Sequence, residues 1–393
     1  MQRGTFQLMK SVNKTNILNK IRKSEPISRA QIAKETKLTP PTVSSIVKEL
    51  LEQGMIKESN LGDSKGGRKP TMLLINNDAF NVIGVDAGPE RVECILTDLS
   101  GEVFERTSSK LRKPISNDQF ITILKENINK ILQSSTTDKE KVIGIGVAMH
   151  GVVDVESGTS LIAPNLDLKN IPIKSELEEA FNLIVKVEND ARAMALGESW
   201  FGGHGDLESM VAVNIGRGVG SGVVINGKLY HGAQDIAGEI GHMTIDMNGT
   251  ICECGNRGCL QTFASGEAIA KRARHQVHEE AESDPLTGQR VHELAQNGNE
   301  SYINILQETG KAIGVGLTNL VHLINPSEIV LGGGVMKGEK FILPAIKQTI
   351  EQQALTQDAK QTNVSVTKLG DDATLLGAVA LLLVELFDPV EKS

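Results

Sequence analysis

The chain has 393 residues, of which 39% are hydrophobic and 23% are charged. These are ordinary values for a globular protein and exclude a fibrous or low-complexity chain. Four cysteines are too few for a disulfide scaffold, and the longest apolar run, at 373–387, is short for a membrane span and contains Glu385. We therefore expect a cytoplasmic protein of about two to four domains, whose cysteines are thiols or metal ligands.

The charge is unevenly distributed along the chain. Residues 1–80 hold 14 Lys and Arg against 7 Asp and Glu, whereas the remaining 313 residues hold 27 against 42. A basic segment joined to an acidic body is typical of a polyanion-binding module attached to a domain that avoids polyanions.

Three helices are predicted in the basic segment. The first covers residues 12–23, and Ser28 followed by Gln31 predicts a capping box that opens a short second helix. Thr39 is a good N-cap and Pro40 suits the first position of the third helix. One apolar stripe runs along the third helix: Val43, Ile46, Val47, Leu50 and Leu51.

The short connection between the second and third helices predicts a helix-turn-helix, whose second helix enters the major groove of DNA. Its outward face would present small residues and one lysine: Pro41, Thr42, Ser44, Ser45 and Lys48. Two alternating segments follow around a basic, glycine-rich loop. They predict a hairpin with a wing that lays Arg68 or Lys69 into a minor groove.

The alternative for the basic segment is a small helical protein-interaction module with a solvated basic loop. DNA binding is favoured, because the capped helix, the proline-started helix and the basic hairpin agree with one another.

The acidic body contains two similar patterns of apolar strands. "NVIGVDAG" is followed by a hairpin that turns at Ser100–Gly101, and "KVIGIGVAMHGVVD" supplies another buried strand. "MVAVNIGRGVGSGVVINGKLYHG" repeats the order of strand, glycine turn and strand, and "EIVLGGGV" adds one more. The repetition predicts a duplicated α/β architecture with a ligand cleft near strand ends.

Several segments resemble the ROK family of repressors, open reading frames and sugar kinases. They are "IGVDAG", "VENDARAMALGESWFG", "NIGRGVGSGVVINGKLYHGAQDIAGEIGH", "CECGNRGCLQTFAS" and "GVGLTNLVHLINPSEIVLGGGV", within residues 80–385. The resemblance implies a two-lobed, actin/hexokinase-like (duplicated ribonuclease H-like) α/β fold. Together with the winged helix-turn-helix, it implies a sugar-responsive transcriptional repressor of carbohydrate-utilisation genes, as the xylose repressors are.

The resemblance also implies a domain division. A winged helix-turn-helix would occupy 1–78, and the first lobe of the sugar-binding body 80–195 with 373–393. The second lobe, 196–372, would carry a zinc loop and the dimerisation surface. A lone helix-turn-helix contacts one half-site, so we expect a homodimer or a dimer of dimers on a near-palindromic operator, released when a sugar binds.

Four potential metal ligands lie close together in sequence: His242, Cys252, Cys254 and Cys259. Three thiolates and one imidazole make a complete tetrahedral set for structural zinc, with no position left for a reacting ligand. The alternative is three unrelated thiols beside a loop histidine, but their density favours zinc. The resemblance gives His242 a second role facing the sugar. Cys94, within a strand, is predicted to be a packing residue.

Sugar contacts are assigned by the resemblance to five residues: Asn165, Asn189, Asp190, Glu239 and His242. A sixth position, which is glutamate in ROK kinases, is Gln261 here. Because an amide both donates and accepts, the ligand or its binding mode is expected to differ. Considered without the resemblance, Glu239 could be an exposed loop charge and Asp190 an ordinary helix cap.

Catalysis is not expected, although the position of Asp190 is that of the general base in ROK kinases. The first phosphate turn of those kinases is replaced by Gly88, Pro89 and Glu90, which removes a backbone donor and adds a carboxylate. The second turn carries Arg217 between two glycines, whereas the third, at 331–334, is intact. The prediction is a receptor that is not an enzyme; the alternative is an ATP-dependent sugar kinase with a DNA-binding head.

Overall fold

The structure is a computed structural model that describes residues 12–61, 70–205, 207–276 and 286–387. The chain divides into two compact units, Met1–Glu188 with Ala378–Ser393, and Asn189–Gly377. Among the helices of these described ranges, none has both the length and the apolar character that a membrane crossing requires.

The first unit begins with three helices and a small antiparallel sheet. These elements are α1 Val12–Ser24, β1 Ile27–Ser28, α2 Arg29–Thr36, α3 Pro40–Glu52, β2 Ile56–Leu61 and β3 Thr71–Ile75. The strand order is β1-β3-β2, with Ile56 opposite Ile75. The three predicted helices and the hairpin are confirmed, and the two-residue strand β1 completes a winged-helix arrangement.

The helix caps and the core of this segment follow the sequence. Ser28 Oγ accepts the backbone N–H of Gln31 at 3.2 Å, and Thr39 Oγ1 accepts that of Thr42 at 3.4 Å. Apolar side chains from α1 and α3 form the buried face: Ile17, Leu18, Ile21, Val43, Val47 and Leu50. Beside it, the buried Lys14 on α1 pairs with Glu49 on α3 at 2.7 Å.

A five-stranded sheet forms the centre of the rest of the first unit. Its strands are β4 Asn81–Ala87, β5 Arg91–Thr97, β6 Val103–Lys110, β7 Val142–Met149 and β11 Ile184–Asn189, in the order β11-β7-β4-β5-β6. Helices α4 Asn117–Gln133 and α5 Ile173–Phe181 accompany it. A separate sheet contains β8 Val152–Asp154, β9 Thr159–Ala163 and β10 Leu168–Ile171.

The second unit contains a sheet of the same strand order, β14-β13-β12-β15-β16. Its strands are β12 Ser209–Ile215, β13 Val219–Ile225, β14 Lys228–Leu229, β15 Glu328–Gly332 and β16 Asn363–Val366. The helices are α6 Asp190–Phe201, α7 Gln261–Ala264, α8 Gly266–Gln276, α9 Gly288–Gln296, α10 Glu300–Ile324, α11 Glu339–Gln353 and α12 Gln357–Lys360, followed by α13 Ala373–Phe387, which continues into the first unit.

The two sheets confirm the predicted duplication. In each, the first strand of the unit's sheet pairs antiparallel with the following strand and parallel with a later one: β4 with β5 and β7, β12 with β13 and β15. Because parallel strands place their carboxyl ends at one edge, both sheets offer loops at that edge for ligand contacts.

Helix α13 packs closely against the first-unit sheet and reaches the winged helix. A Cβ at Gly146 of β7 would lie 1.8 Å from the carbonyl oxygen of Ala378, so glycine is required for this approach. At the end of α13, the guanidinium carbon of Arg22 lies 5.7 Å from the ring centroid of Phe387, within the range of a cation–π contact.

A buried polar cluster anchors α6 within the second unit. His204 Nε2 lies 2.9 Å from a carboxylate oxygen of Glu198, and His204 Nδ1 lies 3.2 Å from one of Glu328. The hydroxyl of Thr367 donates to the other oxygen of Glu198. The cluster connects α6 to β15 and to the residue after β16, and its hydrogen bonds offset the cost of burying two carboxylates.

Candidate metal centre and effector site

The predicted DNA-reading face of α3 points to solvent. Pro41, Ser44, Ser45 and Lys48 are exposed and Thr42 is half-buried. The Lys48 side chain is 78% exposed, with its ammonium 3.8 Å from the carboxylate of Glu52. Since a pair so exposed contributes little, the ammonium can exchange Glu52 for a phosphate. Arg68 and Lys69, the predicted wing residues, lie outside the described residues.

The four predicted metal ligands converge on one point. The donor atoms of His242, Cys252, Cys254 and Cys259 all lie within 4.8 Å of one another. Cys252 Sγ lies 3.8 Å from His242 Nδ1, and the sulfurs of Cys254 and Cys259 are 3.7 Å apart. A tetrahedral zinc with about 2.3 Å bonds to sulfur implies ligand separations of about 3.8 Å, so the donor set fits such an ion.

Tight turns bring the cysteines together. Isolated bridges pair Thr244 with Cys259 and Ile251 with Arg257, which folds residues 242–260 into a compact loop. Gly258 adopts a φ of +64°, and a Cβ there would lie 1.6 Å from the carbonyl oxygen of Asp246. Glycine is therefore required directly before Cys259, the most deeply buried ligand.

The thiols of this loop differ in acidity. The backbone N–H of Asn256 lowers the pKa of Cys254 to about 7, whereas burial raises the pKa of Cys259 to about 12. A bound cation deprotonates a coordinating thiol, so metal binding would convert all three to thiolates. Cys94 lies fully buried in β5, as predicted for a packing residue, and burial raises the pKa of its thiol.

The amino-terminal end of α6 holds two of the predicted sugar contacts. Asn189, not Asp190, is the N-cap: its Oδ1 accepts the backbone N–H groups of Ala191 and Arg192 at 3.0 and 3.1 Å. Asp190 Oδ1 accepts the N–H of Ala191 at 2.8 Å and the side-chain amide of Asn189 at 3.0 Å. The amide oxygen of Asn189 and one carboxylate oxygen of Asp190 are thus engaged locally, which fixes the orientation of both groups.

The loop that carries Glu239 is attached to strand β13. Ser221 donates to the carbonyl oxygen of Gly238 through its backbone N–H at 3.0 Å and through its hydroxyl at 2.8 Å. Arg192, 2% exposed, reaches the same loop, donating to the carbonyl of Asp235 at 2.5 Å. The Glu239 side chain itself is exposed. Its role in sugar binding stays a prediction.

Gln261 contacts the loop of residues 242–260 and the second glycine turn. Its Nε2 donates to Cys252 Sγ at 3.3 Å, and its Oε1 lies 3.8 Å from the Cβ position of Gly218. His242 and Gln261 therefore both touch Cys252, so the structure brings these two predicted sugar residues together.

Asn165 belongs to the first unit, in a 3-10 turn at Pro164–Leu166 between β9 and β10. Lys113 Nζ donates to its carbonyl oxygen at 2.6 Å, and its side-chain Nδ2 lies 2.9 Å from His150 Nε2. His150 was not predicted as a site residue. The histidine in "MHG", at the end of a predicted buried strand, is a pattern from which a site residue could have been predicted. No sequence pattern indicated a role for Arg192.

The two turns at which the resemblance predicts altered phosphate contacts are compact. In the first, Pro89 follows Gly88 directly after β4, and Glu90 is exposed. In the second, Gly216 N donates to the carbonyl of Gly218 at 2.9 Å, which leaves Arg217 exposed at the tip.

Comparisons with known proteins agree with this arrangement. The ROK family model matches residues 82–385, and a winged helix-turn-helix DNA-binding model matches residues 12–57. A xylose repressor of Caldicellulosiruptor bescii is 33% identical over 388 residues, covering 97% of both chains.

Two solved structures are similar. The crystal structure of a ROK family transcriptional regulator, described as a homologue of the Escherichia coli MLC protein, covers 96% of each chain with a TM-score of 0.85 and 30% identity. A Streptomyces griseus ROK glucokinase, in complex with glucose and AMPPNP, covers 77% of this chain and 98% of its own with a TM-score of 0.69 and 27% identity. The protein therefore belongs to the ROK family, and it carries an N-terminal winged helix-turn-helix.

Proposed function

We propose that this protein is a sugar-responsive transcriptional repressor that binds operator DNA through α3 and is released by a sugar. The observation that carries the proposal is the exposed face of small residues on α3, in a winged helix joined to a ROK body. The same combination over 97% of a xylose repressor supports it. Because its target is chromosomal DNA, we propose that it acts in the cytoplasm.

The DNA contacts we propose are Pro41, Thr42, Ser44, Ser45 and Lys48. Small side chains allow a helix to approach base edges closely, and Lys48 supplies a phosphate contact. Arg68 and Lys69 would add minor-groove or phosphate contacts from the wing. We also propose a homodimer or a dimer of dimers, because one recognition helix contacts one half-site of a near-palindromic operator.

For the effector we propose a neutral sugar bound by Asn165, Asn189, Asp190, Glu239, His242 and Gln261. Carboxylates and amides suit the hydroxyls of a pyranose, and the caps and turns described above orient these groups within each unit. D-Xylose is the first candidate because of the xylose repressor, and D-glucose the second because of the glucokinase complex. Sugar releases DNA only if it binds the DNA-free form more tightly.

The metal we propose is zinc, held by His242, Cys252, Cys254 and Cys259. Such an ion would have no open coordination position, so it would supply a structural cross-link. By holding Cys252, this cross-link would also keep Gln261 and His242 in place, because both contact Cys252.

We also propose the domain division into a winged helix-turn-helix at 1–78, a first lobe at 80–195 with 373–393, and a second lobe at 196–372. The division of the body into two lobes is supported by the two compact units, whose limits lie after Glu188, before α6, and after Gly377, within α13. Limited proteolysis should cut first near residues 78–80.

The test is fluorescence anisotropy with an operator that the protein itself selects from random duplexes. We expect tight binding by the full chain, loss of binding without residues 1–78, and release by D-xylose or D-glucose. Operator affinity that persists without residues 1–78 would refute the assignment of DNA binding to α3.

A second candidate function, an ATP-dependent sugar kinase, is favoured by the glucokinase similarity and by Asp190 at the start of α6. We propose that this activity has been lost, because Pro89 and Glu90 alter one phosphate turn and Arg217 alters another. A coupled assay with ATP and either sugar should show no turnover. Steady turnover that Asp190→Asn abolishes would establish the kinase instead.

A further inference from the structure

His150 lies where ligands bind in open α/β sheets. It follows directly after β7, and its backbone N–H donates to the carbonyl oxygen of Ala87, the last residue of β4, at 3.3 Å. Strands β4 and β7 are parallel neighbours, with Ala87 opposite Met149. The histidine is therefore at the carboxyl edge of the first-unit sheet.

A glycine fixes the approach of this turn to the segment that carries Asn165. Gly151 has a φ of +97°, and a Cβ there would lie 2.1 Å from the carbonyl oxygen of Ile162. Ile162 lies in β9, three residues before Asn165. The backbone contact thus places the imidazole against the Asn165 side chain, and both side chains are half-buried.

The contact between the two side chains has a definite polarity. Asn165 Nδ2 lies 2.9 Å from His150 Nε2. In this orientation of the amide its nitrogen can only donate, which makes His150 Nε2 the acceptor of the bond. The bond fixes the amide, which is left with its oxygen as acceptor and one N–H as donor.

We infer that His150 is a specificity-determining positioning residue of the effector site, because it decides which end of the Asn165 amide meets the sugar hydroxyls. The inference rests on the proposed function, in which Asn165 contacts the sugar. An amide rotated by half a turn exchanges its donor and acceptor. A hydroxyl matched to the fixed orientation would then meet the wrong partner.

The first experiment measures D-xylose and D-glucose affinity of the full chain by calorimetry. With the tighter of the two sugars, His150→Leu should weaken binding about tenfold, because the amide loses its orienting acceptor. His150→Gln should restore most of the affinity, since Gln Oε1 accepts the same N–H. As a matched control, His322→Gln should leave affinity unchanged. His322 accepts a backbone N–H from Leu355 outside the proposed site.

A double-mutant cycle separates orientation from general damage. In an Asn165→Ala background, His150→Leu should cost little further affinity, because the group it orients is gone. Monodeoxy analogues of the bound sugar sharpen this: the hydroxyl whose removal costs nothing in Asn165→Ala should be the one that costs least in His150→Leu.

A measurement without sugar tests the contact directly. Long-range proton–nitrogen correlation spectra of the full chain should show His150 protonated on Nδ1 alone. The nitrogen chemical shift of Nε2 should differ between the parent protein and Asn165→Ala, in which the hydrogen bond is lost. A proton on Nε2 would overturn the inference.

The outcomes distinguish the two proposals. If the parent binds neither sugar, the sugar site itself is refuted, and the role of His150 with it. If the parent binds and Asn165→Ala weakens binding, but His150→Leu does not, the proposed function stands and this inference falls.

Discussion

The two units share a strand order but hold their polar side chains by different means. In the first, His150 directly follows strand β7, and Asn165 is fixed by the imidazole, by Lys113 and by the glycine contact at Gly151. In the second, His242 and Gln261 are fixed through Cys252, in a loop whose histidine and three cysteines could hold a metal ion. The sheet is a scaffold, and the loops at its edge carry the chemistry.

This difference also decides how each site can fail. Hydrogen bonds and glycine contacts are lost one at a time, and each loss costs a modest amount of free energy. The proposed tetrahedral ion would cross-link four side chains of one loop, so the loss of one ligand would release the others together.

The largest effect is expected from Cys259→Ser, in which the most buried ligand is removed. Metal content should fall from about one zinc per chain to a small fraction of that, since three ligands bind zinc far more weakly than four. The sugar response should disappear with it. Elemental analysis and sugar-induced DNA release measure the two outcomes.

The matched control is Cys94→Ala, which removes a buried thiol from the first unit. It should lower stability while leaving zinc content and sugar response intact. A normal sugar response in zinc-free Cys259→Ser would contradict the proposal that a metal holds the polar side chains of the second unit in place.

The same substitution, glycine to alanine, can be made next to the proposed site residues of each unit. Gly238→Ala would place a Cβ 2.2 Å from the carbonyl oxygen of Ser221, and Gly151→Ala one 2.1 Å from that of Ile162, both at positive φ. Each should cost about 1–3 kcal/mol of stability from backbone strain, and further sugar affinity because a site loop shifts.

Gly227→Ala is the control for these two, since it has a φ of +78° but no atom within 4 Å of the new Cβ. It should carry the same strain of a positive φ, about 1–3 kcal/mol, without the clash, and should leave sugar affinity unchanged. Thermal unfolding and calorimetry measure both quantities. Equal sugar affinity in all three variants would show that neither glycine contact positions the site.

Single side chains of the proposed sugar site come next in size. Glu239→Ala and Asp190→Ala should each lower sugar affinity by about one to two decades, since a lost hydrogen bond to a charged acceptor costs about 1.5–3 kcal/mol. Operator binding should persist, so both variants would repress without release. Anisotropy titration of operator-bound protein decides this, and release at the parent's sugar concentration would place the pocket elsewhere.

The smallest effect is expected in the winged helix, which belongs to neither sheet. Lys48→Ala should weaken operator binding at low salt and reduce the magnitude of the salt slope by about one, as for one lost phosphate contact. Arg68→Ala should act mainly on sites with a narrow minor groove. An unchanged salt slope in Lys48→Ala would remove that residue from the interface.

Much of the fold could be predicted from the sequence, because periodicity and caps are local signals. The first helix was predicted at 12–23 and extends over Val12–Ser24, and Thr39 and Pro40 begin α3 as expected. Strand β1 was missed, since two residues show no alternation and their pairing with β3 depends on tertiary contacts.

The convergence of His242 with the three cysteines could be predicted because they lie within 18 residues, from His242 to Cys259. His150 and Asn165 meet only through a turn and a sheet contact, so nothing local indicated their pairing. The same applies to Glu198, His204 and Glu328, whose separations in sequence conceal a buried cluster. The sugar contacts depended on the family resemblance and stay predictions.

The contact between Arg22 and Phe387 has a consequence for domain exchange between this protein and other members of the ROK family. The ring ends the last helix, α13, while the guanidinium belongs to the first helix of the DNA-binding head. A chimera that joins this head to another ROK body would lose Phe387 together with α13, so Arg22 would keep an aromatic partner only if the new body supplied one. Exchange of the head should therefore be designed together with the carboxyl-terminal helix.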